Sequence, residues 1–252
     1  MTLAILSALP EEQQGLQHLF TNTQTLRHAG RDFTLGQLHG RAVVLALTGI
    51  GKVAAATTAA AVVERFGARQ LLFTGVAGGV GAGVQVGDVV VAQQFLQHDM
   101  DVRPLFPRWQ VPGYAAPTLA CDTAMSTALL AAAQDCVIQA AQWGEPLLAG
   151  HAPQAHAGLV ASGDQFIVSA AVSGRITSEL QAEGHLPLAV EMEGAAIAQA
   201  CADYGIPFAA VRTISDRADD SAHVDFPAFV QAVASRYALH IVQHWVKLQP
   251  SA

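Results

Sequence analysis

The chain has 252 residues, of which 52% are hydrophobic and only 13% charged, and its formal net charge is −7. An acidic balance with just two lysines, Lys52 and Lys247, and no basic stripe excludes nucleic acid or an anionic membrane surface as a natural partner. No apolar run reaches the roughly 18 uninterrupted residues that a membrane helix needs, so the expectation is one α/β domain over residues 1–252 with an extensive core.

Residues 2–9 read as a buried first strand rather than a signal peptide, because no basic segment precedes the apolar run. Pro10-Glu11-Glu12 then opens a helix carrying Leu16, Leu19 and Phe20, with proline and acids in its first turn. Residues 33–38 and 41–48 form a hairpin around His39-Gly40. Gly49-Ile50-Gly51-Lys52 opens an Ala-rich helix that runs to about Phe66. A strand from Gln70 enters Gly75-Val76-Ala77-Gly78-Gly79, and a second strand, residues 86–92, leads to His98-Asp99-Met100-Asp101. A loop rich in Pro and aromatic residues spans 103–117, and a helix spans 122–141. Residues 143–156 form a loop or strand-edge excursion with no clear place. A strand from Gly158 ends in Ser162-Gly163-Asp164, followed by Phe166-Ile167. Next come a helix over 172–183, a strand over 186–190, and an Ala-rich helix that begins at Glu191-Met192-Glu193 and stops at Tyr204-Gly205. The strand 208–214 ends in Ser215-Asp216, and an amphipathic helix over 226–248 closes the chain. Strands alternating with helices predict a mixed central sheet with helices on both faces.

The chemistry suggested by these segments is acidic. A helix of about a dozen residues and a returning strand of about six match in length, so Glu193 and Asp216 can face one pocket at the strand ends where open α/β sheets bind ligands. Glu11 and Glu12 also fit the simpler role of first-turn acids favoured by the helix dipole, and Asp216 that of an Asx cap. The glycine turns are neither a dinucleotide fingerprint nor a phosphate loop. His98-Asp99-x-Asp101 lacks further His or Cys at ligand spacing, so no metal is expected. Cys121, Cys136 and Cys201 read as reduced, buried thiols of a cytoplasmic protein. With no nucleophile elbow or Cys/His pair, an acid-only site suits hydrolysis through an oxocarbenium-like transition state.

Taken in order, Gly49-Ile-Gly-Lys-Val-Ala-Ala-Ala, Thr74-Gly-x-Ala-Gly-Gly, Val86-Gly-Asp, His98-Asp-x-Asp, Ser162-Gly-Asp-x-Phe-Ile, Val190-Glu-Met-Glu and Ser215-Asp-x-Ala-Asp carry a resemblance that covers nearly the whole chain. The sequence resembles the 5′-methylthioadenosine/S-adenosylhomocysteine nucleosidases of the purine nucleoside phosphorylase superfamily. The resemblance implies a three-layer α/β/α fold, no cofactor, and cleavage of adenine from these nucleosides and from 5′-deoxyadenosine. It implies that Glu12 activates water, Asp216 protonates N7 with Ser215 beside it, and Glu193 grips the ribose hydroxyls. Phe166 would stack on the base and Ile167 read its edge, with Val76, Ala77, Gly78 and Val190 around it. Met192 would lie against the ribose, and Leu9 and Ile50 along the 5′ side. Phe106 and Pro112 resemble a lid given by the second subunit of a homodimer. An apolar pocket would raise the Asp216 pKa toward the protonated form that N7 requires. Relatives of the phosphorylase kind hold phosphate with arginines, whereas the first strand–helix junction here ends in Glu12. One departure is Val76, where many of these nucleosidases have serine. A same-fold hydrolase for a futalosine-type nucleoside, and a catalytically silent nucleoside binder, are the competing readings.

Overall fold

The computed structural model describes residues 1–144 and 151–249. Its strands are β1 (Thr2–Ser7), β2 (Thr21–His28), β3 (Arg31–Leu38), β4 (Arg41–Leu47), β5 (Ala68–Gly79), β6 (Val89–Gln97), β7 (Thr118–Ala120), β8 (Ala155–Ser162), β9 (Pro187–Glu191) and β10 (Phe208–Asp216). Its helices are α1 (Pro10–Gln13), α2 (Lys52–Glu64), α3 (Thr123–Ala140), α4 (Ala170–Ala182), α5 (Gly194–Tyr204), α6 (Ala222–Phe229) and α7 (Ser235–Leu248).

All ten strands belong to one mixed sheet. The central strands are the most apolar, because both of their faces are covered: all nine residues of β10 are buried, as are ten of the twelve in β5. β1 divides the core by its pleat. Ala4 and Leu6 face the layer holding α2 and α5, while Leu3 and Ile5 face the layer holding α3 and α7. The result is the expected α/β/α arrangement.

The pairing differs from an open sheet. β5 pairs with β1, β10 and β9, and the path β5–β10–β6–β8–β9 returns to β5 through Gly78↔Val190 and Gly79↔Ala189. Five strands thus close into a ring, from which β1, β4, β3 and β2 extend as a wing.

Several boundaries depart from the sequence reading. α1 stops at Gln13, and Leu16–Leu19 is a separate 3₁₀ turn, because Gly15 at φ 88° breaks the helix. The C-terminal helix starts earlier and is not continuous: α6 contains Pro227, and a π-helical stretch at Val230–Ala234 joins it to α7. A proline without an N–H, followed by an adjusted turn, is a known way to interrupt the helical ladder. β2 and β7 fall in segments to which the sequence reading assigns no element, and β6 begins at Val89 and runs on to Gln97. Of the excursion at 143–156, residues 145–150 lie outside the described residues, and Ala155 and His156 already belong to β8. No helix of the described residues is long and apolar enough to cross a membrane. Cys121, Cys136 and Cys201 are buried and free, and burial pushes each thiol pKa up.

Candidate active site

The ends of β1, β5, β9 and β10 and the turns after β4 and β8 surround a cavity of about 380 Å³. Glu12 reaches it from α1. The helix starts with Leu9 as its N-cap, and the Glu12 carboxylate folds back so that Oε2 accepts from the N–H groups of Ala8 and Leu9, each at 2.8 Å. Its Oε1 accepts from Val76 N at 2.9 Å, which ties α1 to β5. Glu12 is therefore a buried carboxylate wedged between two strand ends and not a solvated first-turn acid. Burial raises its pKa, against the lowering influence of Arg212 and the three backbone donors.

The second wall comes from the β9–α5 junction. Glu191 caps α5: its oxygens accept from Glu193 N at 3.1 Å, from Gly194 N at 2.8 Å and from Ser162 Oγ, and Arg212 Nη2 also donates to it. Negative charge at a helix N-terminus is favoured there. Glu193, two residues on, is held less completely. Its Oε1 accepts from Gly51 N at 2.9 Å, and its Oε2 lies 3.4 Å from Arg212 Nη2. Burial, and then the neighbouring Glu191, push its pKa up to about 7. Gly51 adopts φ 96°, a conformation that suits glycine and turns its N–H toward Glu193.

The third wall is the end of β10. The register slips between Ile214 and Asp216 opposite β5, which is the signature of a bulge, and bulges re-aim side chains. Asp216 is buried: Oδ2 accepts from Ser215 Oγ and Oδ1 from Ala218 N, both at 2.8 Å.

Arg212, fully buried on β10, was missed in the sequence reading. It stacks over the Phe73 ring at 3.7 Å and bonds to both Glu191 and Glu193. A Cβ on residue 75 would fall 2.2 Å from Arg212 Nη1 and 2.6 Å from Glu12 Oε1. Only glycine at 75 lets the guanidinium and carboxylate approach as they do. One basic residue inside the apolar run Phe208–Ile214 was the available signal, since a buried charge in a strand requires partners.

Of the sequence-predicted residues, Leu9, Ile50, Val76, Ala77, Gly78, Phe166, Ile167, Val190 and Met192 all line the cavity. Ser215 completes the set beside Asp216. Val76 packs against Val230, Ala234 and Phe226. Phe226 of α6, also missed, meets the Phe166 ring edge-on at 5.4 Å and borders the cavity. Phe106 and Pro112 are exposed and do not line this cavity, so a single chain does not bring them to the site.

The His98-Asp99-x-Asp101 stretch braces the site. Asp99 pairs with Lys52 at 2.6 Å and accepts from Asp164 N at 2.9 Å, while Lys52 N donates to Asp164 Oδ1 at 2.7 Å. This lattice locks the Gly49–Lys52 turn to the loop that carries Phe166. Asp101 instead pairs with Arg103 and Arg108 at the surface.

Comparison with known proteins gives a consistent picture. The model of the phosphorylase superfamily matches residues 2–247. A 5′-methylthioadenosine/S-adenosylhomocysteine nucleosidase from Neisseria meningitidis, solved with methylthio-immucillin-A, is 32% identical with a TM-score of 0.85, covering 98% of this chain and 99% of that one. The S-adenosylhomocysteine nucleosidase of Streptococcus pyogenes is 29% identical, with a TM-score of 0.84 and coverage of 100% and 98%. The futalosine hydrolase of Helicobacter pylori is 28% identical, with a TM-score of 0.83 and coverage of 98% of both chains.

Proposed function

This chain belongs to the phosphorylase superfamily, and we propose that it is a purine nucleosidase that hydrolyses 5′-methylthioadenosine and S-adenosylhomocysteine to adenine and the 5′-substituted ribose. The observation that carries this reading is the charge of the cavity wall. Among the described residues lining it are four carboxylates, Glu12, Glu191, Glu193 and Asp216, and no lysine or arginine. The nearby Arg212 is engaged by Glu191 and Glu193. Such a wall repels phosphate and favours neutral water as the nucleophile.

In this mechanism Glu12, fixed by three backbone N–H groups, accepts a proton from the attacking water. Asp216 delivers a proton to N7, which turns the purine into a competent leaving group. Glu193 accepts hydrogen bonds from the ribose hydroxyls, and these strengthen as positive charge grows on the sugar. Phe166 stacks on the base, backed by its edge-on contact with Phe226, while Leu9, Ile50 and Met192 give the 5′ side an apolar surface suited to an alkylthio group. Phe106 and Pro112 serve the cavity of a second copy in a homodimer. The exposure of Leu105 and Phe106, and of Ile50 in the cavity lining, supports such a cover.

Val76 favours a second reading. It puts methyl groups where many of the resembling nucleosidases have a hydroxyl, which removes one hydrogen-bonding group from the cavity lining and suits a different purine nucleoside, such as a futalosine-type one.

The test is release of adenine from 5′-methylthioadenosine in phosphate-free buffer and again with added phosphate, with futalosine run in parallel. Phosphate-independent release with free methylthioribose as product is expected. A requirement for phosphate would reassign Glu12 and make the protein a phosphorylase. Turnover of futalosine alone would establish the second reading, and no turnover of either would point to a binder.

A further inference from the structure

Away from the cavity, α7 carries His240 and His244 four residues apart, a spacing that puts both imidazoles on one helix face. α3 packs against α7 and presents Asp135 to them. His240 Nε2 lies 2.6 Å, and His244 Nδ1 2.9 Å, from the same oxygen, Asp135 Oδ2. The three atoms all lie within 4.8 Å of one another. Side-chain exposures of 29% for His240 and 35% for His244 and Asp135 leave the group sheltered yet reachable from solvent.

The backbones beneath are fixed independently of this group. Tyr237, Ile241, Val242 and Trp245 of α7 are buried with Leu129, Ala133 and Cys136 of α3, and Trp245 Nε1 donates to Met125 O at 3.1 Å. The ligand atoms are thus held together by a packed core, which is the preorganisation that a metal site requires.

We propose that Asp135, His240 and His244 form a binding site for a divalent transition-metal ion of the zinc class. Two imidazoles and one carboxylate make up a three-ligand set that leaves a fourth tetrahedral position to water. Nitrogen donors favour zinc, nickel, cobalt or copper over magnesium and calcium, which take oxygen ligands. Bonds of about 2.0–2.2 Å to a tetrahedral ion place ligand atoms roughly 3.3 Å apart. Asp135 Oδ2 and the two nitrogens need only separate by several tenths of an ångström, within reach of small rotations of partly exposed side chains. The protons that these nitrogens present to Asp135 move to the other ring nitrogens or to solvent as the ion binds. The ion would clasp α7 to α3. Through the π-helical stretch at Val230–Ala234 it would also steady α6, whose Phe226 borders the cavity.

The experiment uses tag-free, chelator-stripped protein titrated with Zn²⁺ by calorimetry, with thermal unfolding measured alongside. One ion per chain, a higher Tm with Zn²⁺, and a tetrahedral absorption spectrum on Co²⁺ substitution are expected. Asp135→Asn, His240→Ala and His244→Ala should each weaken Zn²⁺ binding by about tenfold or more and abolish the Tm rise, while adenine release without metal stays at the wild-type rate. Absence of saturable binding in the wild type would overturn the site and leave a hydrogen-bonded Asp–His–His cluster of no further role. Unchanged affinity in all three variants would overturn it equally.

Discussion

Asp88 and Glu193 are both buried acids, and the fold treats them in opposite ways. Asp88, fully buried just before β6, receives His151 Nε2 at 2.6 Å, His156 Nε2 at 2.8 Å, Gln154 N at 2.9 Å and Gln85 N at 3.0 Å. Burial alone would push its pKa up, but these hydrogen bonds hold it below the usual range. Glu193 has one backbone donor and a share of Arg212, and its pKa rises to about 7. The lesson is that burial does not mark a reactive carboxylate; burial without enough donors does. The Asp88 corner is a rivet between β6 and the start of β8, whereas the cavity concentrates more negative charge than its donors offset.

The largest effect should come from the cavity. Asp216→Asn removes the proposed acid while keeping its shape, and kcat should fall by about 10²–10⁴-fold with little change in KM. Steady-state kinetics on adenine release would check this, and near-normal turnover would remove Asp216 from the mechanism.

Asp88→Asn probes the other side of the comparison. It leaves two imidazoles and two N–H groups facing an amide, so urea denaturation should show a loss of about 2–4 kcal/mol, with kcat per folded molecule unchanged. A loss of turnover without a loss of stability would place Asp88 among the catalytic groups.

Glu193→Gln should separate activity from stability. A carboxyl whose folded pKa is raised from 4.5 to about 7 contributes stability that is full below the unfolded pKa and lost as pH rises through the folded one. Above pH 7 the wild type therefore holds a costly charge that glutamine lacks. The variant should lose activity yet match or exceed the wild-type Tm there, a gain that shrinks toward pH 4.5. A Tm lower than wild type at alkaline pH would contradict the assigned shift.

How far this was legible in the sequence follows the same physics. β1, β5 and β10 announced themselves as apolar runs because both faces are covered. β2 did not: it is an edge strand whose residues are nearly all exposed, so it carries no alternation to read. Ring closure rests on two residue pairs between β5 and β9, a contact that no local pattern encodes. Glu193 and Asp216 were legible from the matched lengths of a helix and its returning strand, Glu12 only through the family resemblance, and all three line one cavity. Arg212 was overlooked because its strand was read for hydrophobicity, and Phe226 because an aromatic on an amphipathic helix reads as core. Phe106 and Pro112 do not reach the cavity of their own chain, and their proposed role depends on a second copy.

The most direct test of the central claim is the pH dependence of kcat/KM on its acidic side. Glu12 must be ionised to accept a proton from water and Glu193 to hold the ribose, and burial raises both from 4.5, Glu193 to about 7. Activity should therefore climb with pH through about 7, and Glu193→Gln should remove the part of that climb that belongs to Glu193. A profile already flat from about pH 5 upward, as ordinary solvated carboxylates would give, would contradict the account.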